Sequence, residues 1–291
     1  MSKLTDIGYI RTLLGEADTG LKKKFGQNFL INPSIPVRIS EEGIPGSDYG
    51  VLEIGPGIGT LTAELAQRAR KVVSVEIDRT LIPILGQTLV EYNNVEIINE
   101  DIQKVDIPAL VTEKFADCTG VCVCANLPYY ITTPILMNLL ESGAPFDRIT
   151  IMVQSEVAQR LTAAPGSEEY GAITAVLSYY GKTKRVLSVP AGNFLPAPKV
   201  DSAVISVQLH KERPAVLNER TLFRVIKGAF GQRRKTLLNS LSTEFPHLNK
   251  ESVKNAIVLS GIAPEIRGER LGIEQFITIA DNIYNLKNMQ K

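Results

Sequence analysis

The stretch best suited to chemistry is Asn126-Leu127-Pro128-Tyr129, which follows the small apolar run 121–125. That run predicts a buried strand ending in a turn. The asparagine side chain offers one carbonyl acceptor and one amide donor, and proline adds a carbonyl without an N–H. Two oxygens for the hydrogens of an amine, beside a flat tyrosine ring, suit a flipped-out or single-stranded adenine. Taken alone, four residues favour an ordinary turn, where Asn and Pro are common.

The elements that must position this stretch alternate between strands and helices. The predicted strands are 49–54, 71–76, 95–98, 121–125 and 149–153, and the predicted helices are 3–15, one starting at 32–33, 60–70 and 82–90. This alternation predicts a parallel, doubly wound sheet. Two later segments with alternating polarity, 185–189 and 204–209, are predicted to form an antiparallel pair at one edge of the sheet.

A glycine-rich turn, Gly55-Pro56-Gly57-Ile58-Gly59, directly follows the first strand of this pattern. Glycines there let the chain turn tightly and let a ligand approach the backbone. The turn could serve a dinucleotide or S-adenosylmethionine (SAM). A dinucleotide fingerprint needs a small residue at position 60, where this chain has Thr60, so a pyrophosphate site is disfavoured without being excluded.

Polar side chains follow the next strands at the point where each strand ends. Glu76 could accept both hydroxyls of a ribose, Asp101 could accept from an adenine amine, and Asn126 closes the fourth strand. Either acid alone would be read as a solvated loop charge. Because the carboxyl ends of parallel strands line one crevice, the four strand ends together predict a shared pocket. None of these groups suits phosphate, which favours SAM over NAD.

The character of the chain changes near residues 211–214. Helical periodicity follows, over 222–230, 236–241, 251–259 and 273–286. We therefore predict a domain over 1–210, with an N-terminal extension 1–21, and a helical domain over 211–291. Residues 211–291 carry 14 Lys and Arg against 8 Asp and Glu, a net charge of +6, whereas residues 1–210 carry 18 against 23, a net charge of −5. A polyanionic partner or a merely solvated helical surface would each explain this asymmetry.

Composition argues against several other classes of protein. Cys118, Cys122 and Cys124 are not spaced as zinc ligands, and the last two are predicted to be small core residues on one strand face. His210 and His247 are the only histidines, so His-based or metal chemistry has little support. Charged residues or prolines interrupt every apolar run before it reaches membrane-spanning length, and the N-terminus has no apolar signal core. We expect a cytoplasmic protein without a metal or a membrane partner.

Six runs occur in one order along the chain: Lys-Phe-Gly-Gln-Asn-Phe-Leu (24–30), Glu-Ile-Gly-Pro-Gly-Ile-Gly-Thr-Leu-Thr (53–62), Val-Glu-Ile-Asp (75–78), Asn-Leu-Pro-Tyr-Tyr-Ile (126–131), Phe-Leu-Pro-Ala-Pro-Lys-Val-Asp-Ser-Ala-Val (194–204) and Phe-Gly-Gln-Arg-Arg-Lys-Thr-Leu (230–237). Together they resemble the rRNA adenine N6-dimethyltransferase family, and within it the bacterial group that acts on the small ribosomal subunit. The match runs from about Lys22 to the C-terminal helices. One departure is Leu238, where a basic residue is more usual in such proteins.

The resemblance implies a Rossmann-like SAM-dependent methyltransferase with a mostly parallel sheet and a small, all-helical C-terminal domain that grips RNA. It implies that SAM is held by Asn28, Leu30, Gly55, Glu76, Asp101 and Asn126. The implied substrate is two neighbouring adenines near the 3′ end of 16S rRNA, each methylated twice within the immature 30S subunit. We expect a monomer.

The same resemblance implies roles for the residues that would contact the target base and the RNA. Asn126, Leu127 and Pro128 would accept from the target amine while Tyr129 stacks on the base. Phe194 would cover the other face of the base, with a core anchor as the alternative, and Tyr130 is expected to be a core anchor. The residues expected to contact RNA phosphates are Lys22, Lys23, Lys24, Arg233, Arg234 and Lys235; an exposed basic turn and a solvated helix face are the alternatives.

Three other functions remain open from the sequence. One is a binding factor that keeps the fold and binds RNA but makes little use of catalysis. A methyltransferase for one adenine of large-subunit rRNA is the nearest enzymatic rival, although the runs 126–131 and 230–237 look more like the small-subunit group. A DNA adenine methyltransferase usually carries Pro where this chain has Leu127, and it would leave residues 211–291 unexplained.

Overall fold

A computed structural model describes residues 3–16, 27–232 and 234–289 of the chain. Its strands are β1 (Phe29–Leu30), β2 (Gly50–Ile54), β3 (Lys71–Val75), β4 (Val95–Ile98), β5 (Val121–Asn126), β6 (Phe146–Gln154), β7 (Gly181–Val189), β8 (Phe194–Leu195) and β9 (Ser202–Leu209). Its α-helices are α1 (Ile7–Glu16), α2 (Ser34–Gly43), α3 (Thr60–Ala66), α4 (Ile82–Thr88), α5 (Ile107–Lys114), α6 (Thr132–Glu141), α7 (Ser155–Leu161), α8 (Ala172–Tyr180), α9 (Glu219–Gly231), α10 (Leu237–Glu244), α11 (Lys250–Leu259) and α12 (Ile273–Met289).

Seven of the strands form one sheet in the order β4-β3-β2-β5-β6-β9-β7. The pairs from β4 through β6 are parallel, and β9 runs antiparallel to β6. The predicted parallel, doubly wound sheet is confirmed, and the two later segments, now β7 and β9, are the last two strands at one side. Chain order reverses between β2 and β5, which makes a switch point where such sheets bind ligands.

The register of the parallel strands aligns their carboxyl ends. Ile54 pairs with Val75 on one side and with Ala125 on the other, and Val75 pairs with Ile98. Each of these residues is the last or next-to-last residue of its strand. The residues that follow the four strands therefore emerge at one edge of the sheet.

The N-terminal helix α1 packs into the same part of the molecule as the glycine turn. Its residues Ile10, Leu13 and Leu14 are buried in an apolar cluster that includes Ile58 of the turn. The hydroxyl of Thr60 also donates to the carbonyl oxygen of Leu4, at 3.2 Å. The helix predicted over residues 3–15 is thus confirmed from Ile7 onward, whereas Lys3–Thr5 form a separate 3-10 turn. Apolar burial explains why the helix forms.

The chain divides into two compact units, one made of residues 1–158 with 184–209 and the other of residues 159–183 with 210–291. The predicted domain boundary at 210/211 lies within a residue of the second division. Residues 159–183, however, were predicted in the first domain and instead join the second unit. The reason is tertiary packing: α8 contacts α9 and α12, and the buried Tyr170 donates from its hydroxyl to the carbonyl of Leu271, at 2.9 Å.

The helices of the second unit begin at side chains that cap their free N–H groups. Asn218, Thr236 and Asn249 accept hydrogen bonds from the backbone N–H three residues ahead, and these caps set the starts of α9, α10 and α11. All four C-terminal helices predicted from periodicity are present. Within the unit, α9 packs against both α10 and α12.

The cysteines have the structural role predicted for two of them. Cys122 and Cys124 are fully buried on β5, and the three thiols are free. Burial raises the pKa of Cys122 to about 12, so its thiol is an inert core group.

Two absences hold for the described part of the chain. Within residues 3–16, 27–232 and 234–289, none of the helices combines the length and the apolar character that crossing a bilayer requires. Among those residues there is also no cluster of three or more His, Cys, Asp or Glu side chains arranged to hold a metal ion.

Candidate functional site

A cavity opens at the carboxyl ends of β2, β3, β4 and β5, within the first unit. Its lining includes every predicted cofactor residue and the whole four-residue motif, namely Asn28, Leu30, Gly55, Glu76, Asp101, Asn126, Leu127, Pro128 and Tyr129. Residues separated by up to 101 positions in sequence are brought together because their strands end in register. The structure thus shows these predicted residues at one site; their individual roles remain predictions.

The floor of the cavity is the glycine turn between β2 and α3. Gly55, Gly57 and Gly59 have φ angles of 71°, 62° and 90°, in the left-handed region that other residues rarely adopt. The N–H of Gly57 donates to Oε2 of Glu76, at 3.3 Å. The turn therefore both opens space for a ligand and holds the carboxyl group of the neighbouring strand.

Glu76 is a buried acid on the wall of the cavity. Its Oε1 accepts from the N–H of Asp78 at 2.7 Å, and its own carbonyl accepts from Nδ2 of Asn99 at 2.7 Å. Burial raises the pKa of Glu76, while the backbone donors Asp78 and Gly57 oppose that rise. A carboxyl group has about four acceptor positions, so Glu76 keeps capacity for the hydroxyls of a ribose.

Asp101 lies on the same wall, half-buried, after β4. Its Oδ1 accepts from the N–H of Gln103 at 3.0 Å, which holds the side chain beside the cavity. The apolar residues Ile77 and Ile102 also line the cavity, and each directly follows one of the two acids. Sequence reasoning did not assign them a role. The signal that would have found them is an apolar residue immediately after a strand-end acid, where it can contact a flat ring.

Asn126, at the end of β5, is held by the N-terminal strand segment. Its Nδ2 donates to the carbonyl oxygen of Asn28, at 3.3 Å. Among the described residues its Oδ1 makes no hydrogen bond to protein, so this oxygen is the group available to an incoming donor. Of the next residues, Leu127 is buried, and the carbonyl of Pro128 already accepts from the N–H of Ile131 and from Oγ1 of Thr132, each at 3.2 Å.

Tyr129 lies half-buried in the cavity wall. Its hydroxyl is 2.7 Å from Oγ of Ser202, the first residue of β9. Burial raises the pKa of the Tyr129 hydroxyl, and the contact with Ser202 lowers it in part. The ring is thus neutral at physiological pH and is anchored at its far end.

Two aromatic residues are placed differently from the predictions. Phe194 was predicted to cover the target base, yet it is 3% exposed, packs in the core with Leu30 and Val204, and does not line the cavity. Its place follows from β1–β8 pairing, in which Leu30 is opposite Phe194. Tyr130 was predicted to be a core anchor, but it is 63% exposed and lies on the cavity wall. The core-anchor alternative for Phe194 is the one the structure supports.

Below the cavity, Glu53 on β2 is a buried acid to which sequence reasoning gave no role. It is 1% exposed, and Oγ of Ser74 donates to its Oε2 at 2.7 Å. Its Oε1 and the nearby Thr62 hydroxyl make no hydrogen bond within the described structure. Burial raises the pKa of Glu53 to about 7, and the hydrogen bond from Ser74 opposes that rise. Burial at this position therefore favours the protonated form of the Glu53 side chain.

The second unit carries a concave basic surface, here the α10 basic surface, which is lined by Arg234, Lys235, Thr236, Asn239, Ser242, Thr243 and Lys250. Its described residues combine three cations with hydroxyl and amide groups, and none of them is an acid. Arg234 and Lys235 were predicted for RNA; Lys250, at the start of α11, was missed because its neighbours in sequence are not basic. The other predicted RNA contacts, Lys22, Lys23, Lys24 and Arg233, lie outside the described residues.

The cavity lies at the switch point where doubly wound sheets bind ligands, and the fold is that of Rossmann-like methyltransferases. The family model described as ribosomal RNA adenine dimethylase matches residues 19–285. The chain belongs to the ribosomal RNA adenine dimethylase family.

Similar proteins extend over nearly the whole chain. The "Ribosomal RNA small subunit methyltransferase A" of Lachnoclostridium phytofermentans is 51% identical over 266 residues, which are 90% of this chain and 91% of that protein. The protein of the same name from Anoxybacillus flavithermus is 46% identical over 278 residues, 94% of each chain. Because coverage is this complete, the similarity includes the C-terminal helices as well as the catalytic fold.

Two solved structures share the fold of this chain. A dimethyladenosine transferase from Plasmodium falciparum matches with a TM-score of 0.72 at 25% identity, over 89% of this chain and 98% of that one. The 23S rRNA methyltransferase ErmE matches with a TM-score of 0.70 at 27% identity, over 88% and 100%. The two scores are nearly equal although the names of the two proteins differ, so the fold alone does not select the RNA.

Proposed function

We propose that this protein uses SAM to dimethylate N6 of two adjacent adenines near the 3′ end of 16S rRNA, within the immature 30S subunit in the cytoplasm. The observation that carries the proposal is the in-register ending of β2, β3, β4 and β5, because it places Asn126–Tyr129 beside the glycine turn and the two acids. The names of the relatives that match over 90% or more of the chain support the choice of the small subunit.

The donors around the cavity fit SAM better than a dinucleotide. Glu76 and Asp101 would accept from the ribose hydroxyls and the adenine amine, and the glycine turn, Asn28 and Leu30 would form further parts of the wall around the ligand. Among the described residues, the cavity lining contains neither Lys nor Arg, so this part of the chain offers no cation for a pyrophosphate. When bound, SAM supplies a methyl group on a positively charged sulfur, which needs no metal for activation.

The protein's task is then to make a poor nucleophile reactive. The exocyclic nitrogen of adenine shares its lone pair with the ring. Oδ1 of Asn126 would accept one N–H of the target amine. Because the carbonyl of Pro128 already accepts two hydrogen bonds, we assign the second acceptor to the carbonyl of Leu127. Two such bonds favour a pyramidal nitrogen whose lone pair points at the methyl group, and they stabilise the positive charge that develops on it.

Tyr129 would hold the base while this transfer takes place. Stacking of a base on an aromatic ring contributes ~1–3 kcal/mol. No histidine is among the described residues that line the cavity, and the proposed mechanism needs none, because the amine loses its proton to water only after the methyl group has been transferred. After one transfer the same nitrogen still carries one N–H, so a second round can use the same acceptors.

The α10 basic surface would contact RNA phosphates together with Lys22, Lys23, Lys24 and Arg233. We propose residues 211–291, joined by the packed segment 159–183, as the RNA-binding domain of a monomeric enzyme, with residues 1–210 otherwise forming the catalytic domain. The positive charge of the second domain is the sequence feature that agrees with this surface.

Neutralising Arg234, Lys235 and Lys250 together, each to Gln, is expected to weaken RNA binding and flatten its salt dependence. The slope of log K against log salt concentration is negative, and each lost phosphate contact reduces its magnitude by roughly 0.7–0.9. The magnitude should therefore be smaller by about 2 in the triple variant. Binding titrations from 50 to 300 mM salt measure this. Lys254→Gln is the control. Lys254 lies on α11, as Lys250 does, but it is not part of the α10 basic surface and pairs with Glu251 at 3.7 Å. An unchanged slope in the triple variant would identify the surface as merely solvated.

One labelling experiment separates the proposed function from its rivals. SAM with a tritiated methyl group is offered with immature small subunits, large subunits or DNA, and the labelled base is then mapped. We expect label on two adjacent adenines near the 3′ end of small-subunit rRNA. Label on a single adenine of large-subunit rRNA, or on DNA, would replace the proposal with that activity. Tight RNA binding without any transfer would support a binding factor.

A further inference from the structure

We propose that Ser202 is a positioning residue for methyl transfer, which acts by anchoring the ring of Tyr129 through the hydrogen bond between their hydroxyl groups. The two oxygens are 2.7 Å apart, and Ser202 is fully buried. The inference rests on the proposed function, because it requires the Tyr129 ring to stack on the target base. The family resemblance assigned Ser202 no role.

The topology of the sheet explains why Ser202 is available at this point. β9 runs antiparallel to β6, so the first residue of β9 lies at the edge where β5 and β6 end. Ser202 pairs with Gln154, the last residue of β6, and Asn126 is the last residue of β5. A serine 73 positions beyond Tyr129 is thereby fixed beside the motif.

The backbone that carries Ser202 is held from two sides. The carbonyl of Asp201 accepts from the N–H of Ser155 at 2.8 Å, and its Oδ1 accepts from the N–H of Ala191 at 2.9 Å. Ser202 itself has no freedom to follow the tyrosine, since its strand partner and these contacts restrict it. The serine therefore defines where the hydroxyl end of the Tyr129 ring must lie.

The anchor has a specific consequence for the ring. Tyr129 begins a single 3-10 turn, Tyr129–Ile131, and is only half-buried there, so packing restrains its ring less than it would restrain a core side chain. A hydrogen bond at the far end of the ring limits rotation about its side-chain torsions and keeps one face toward the cavity. Small errors in the orientation of a reacting base are costly to transfer, because the lone pair must point along the line to the methyl group.

The test is a double-mutant cycle on methyl transfer. Ser202→Ala and Tyr129→Phe each delete one partner of the hydrogen bond while retaining the aromatic ring. Each is expected to lower kcat about three- to tenfold, in keeping with the contribution of one hydrogen bond, with KM for SAM within about twofold of the parent protein. The double variant should be no slower than the worse single variant, because both changes remove the same interaction.

Ser206→Ala is the matched control. Ser206 is a buried serine on the same strand and its hydroxyl contacts Thr150 at 3.3 Å, away from the cavity lining. We expect kcat within about twofold of the parent protein for this variant, which separates loss of the anchor from general loosening of β9.

Three results would overturn the inference: a Ser202→Ala enzyme with unchanged kcat, effects of the two single changes that multiply in the double variant, or an equal loss in Ser206→Ala. If Ser202→Ala unfolds, Tyr129→Phe still tests the inference, because it removes the other partner of the same hydrogen bond. An unchanged kcat in Tyr129→Phe would also overturn the inference. Failure of the proposed function is seen separately, in where the parent protein places the label. If another RNA is labelled, the parent protein and the same four variants are compared on that RNA.

Discussion

Asn126→Ala is expected to lower the rate of methyl transfer by about 10²–10³-fold while the protein stays folded. The reason is that Oδ1 of Asn126 is the acceptor positioned for the target amine, and loss of one transition-state hydrogen bond of this type costs about that factor. The fold should persist, because within the described part of the chain the side chain makes a single hydrogen bond, from Nδ2 to the carbonyl of Asn28. Such a bond contributes ~0.5–1.5 kcal/mol to stability. Single-turnover transfer with labelled SAM measures the rate.

A second substitution at the same position separates the two roles of the amide. Asn126→Asp keeps an acceptor oxygen but places a carboxylate oxygen near the carbonyl of Asn28, where Nδ2 donates in the parent protein. We expect the rate of methyl transfer to fall less than in Asn126→Ala. We also expect Asn126→Asp to be less stable than the parent protein, because the two oxygens repel each other. Asn138→Ala, on α6, is the control, since Asn138 is also half-buried but lies outside the cavity. Full activity of Asn126→Ala would refute the proposed mechanism.

Glu53→Gln is expected to stabilise the protein at pH 8 by up to about 3 kcal/mol relative to the parent chain. Burial raises the pKa of Glu53 from 4.5 to about 7. Over that interval the unfolded chain releases a proton that the folded protein retains, and each unit of difference is worth about 1.4 kcal/mol. Glutamine can accept from Ser74 through its oxygen and can direct its amide toward the Thr62 hydroxyl, so it fits without needing a charge.

The sign of the pH dependence follows from the raised pKa. The contribution of Glu53 to stability is fully present below pH 4.5, where both states are protonated. It falls as pH rises toward 7, and it stays at its lower level above 7. The difference in unfolding free energy between Glu53→Gln and the parent chain should therefore grow in favour of the variant from pH 5 to pH 7 and then level off.

Urea unfolding at pH 5, 6, 7 and 8 provides the measurement. Glu91→Gln is the control for removal of one carboxylate, because Glu91 is an exposed glutamate in the same unit. If the parent chain and Glu53→Gln change in parallel across this range, Glu53 is ionised in the folded protein and the interpretation of its burial is wrong.

Local pattern was a sound guide to the frame of the site. The apolar runs that became β2, β3, β4 and β5 were located to within one or two residues, because a buried strand in a parallel sheet needs a continuous apolar run. The glycines of the 55–59 turn were also recognisable, since all three have positive φ angles. Once four strands were known to be parallel, their polar end residues had to share one edge.

The errors concern residues whose surroundings come from distant parts of the chain. Phe194 and Tyr130 have the reverse of their expected exposure, because the pairing of β1 with β8 draws Phe194 into the core and a 3-10 turn leaves Tyr130 at the surface. The same holds for residues 159–183, which α8 attaches to the helical unit. No local pattern encodes these partners.

The amino-acid sequence was sufficient for the order of strands and helices, the glycine turn, and the identity of the groups around the cofactor, since hydrophobic periodicity and backbone chemistry are local properties. The three-dimensional packing was needed for the hydrogen bond between Tyr129 and Ser202, the burial of Glu53, and the addition of Lys250 to the α10 basic surface. Each of these depends on which strand or helix lies beside another. That choice is made by burial of apolar surface over the whole molecule rather than by neighbours in the chain.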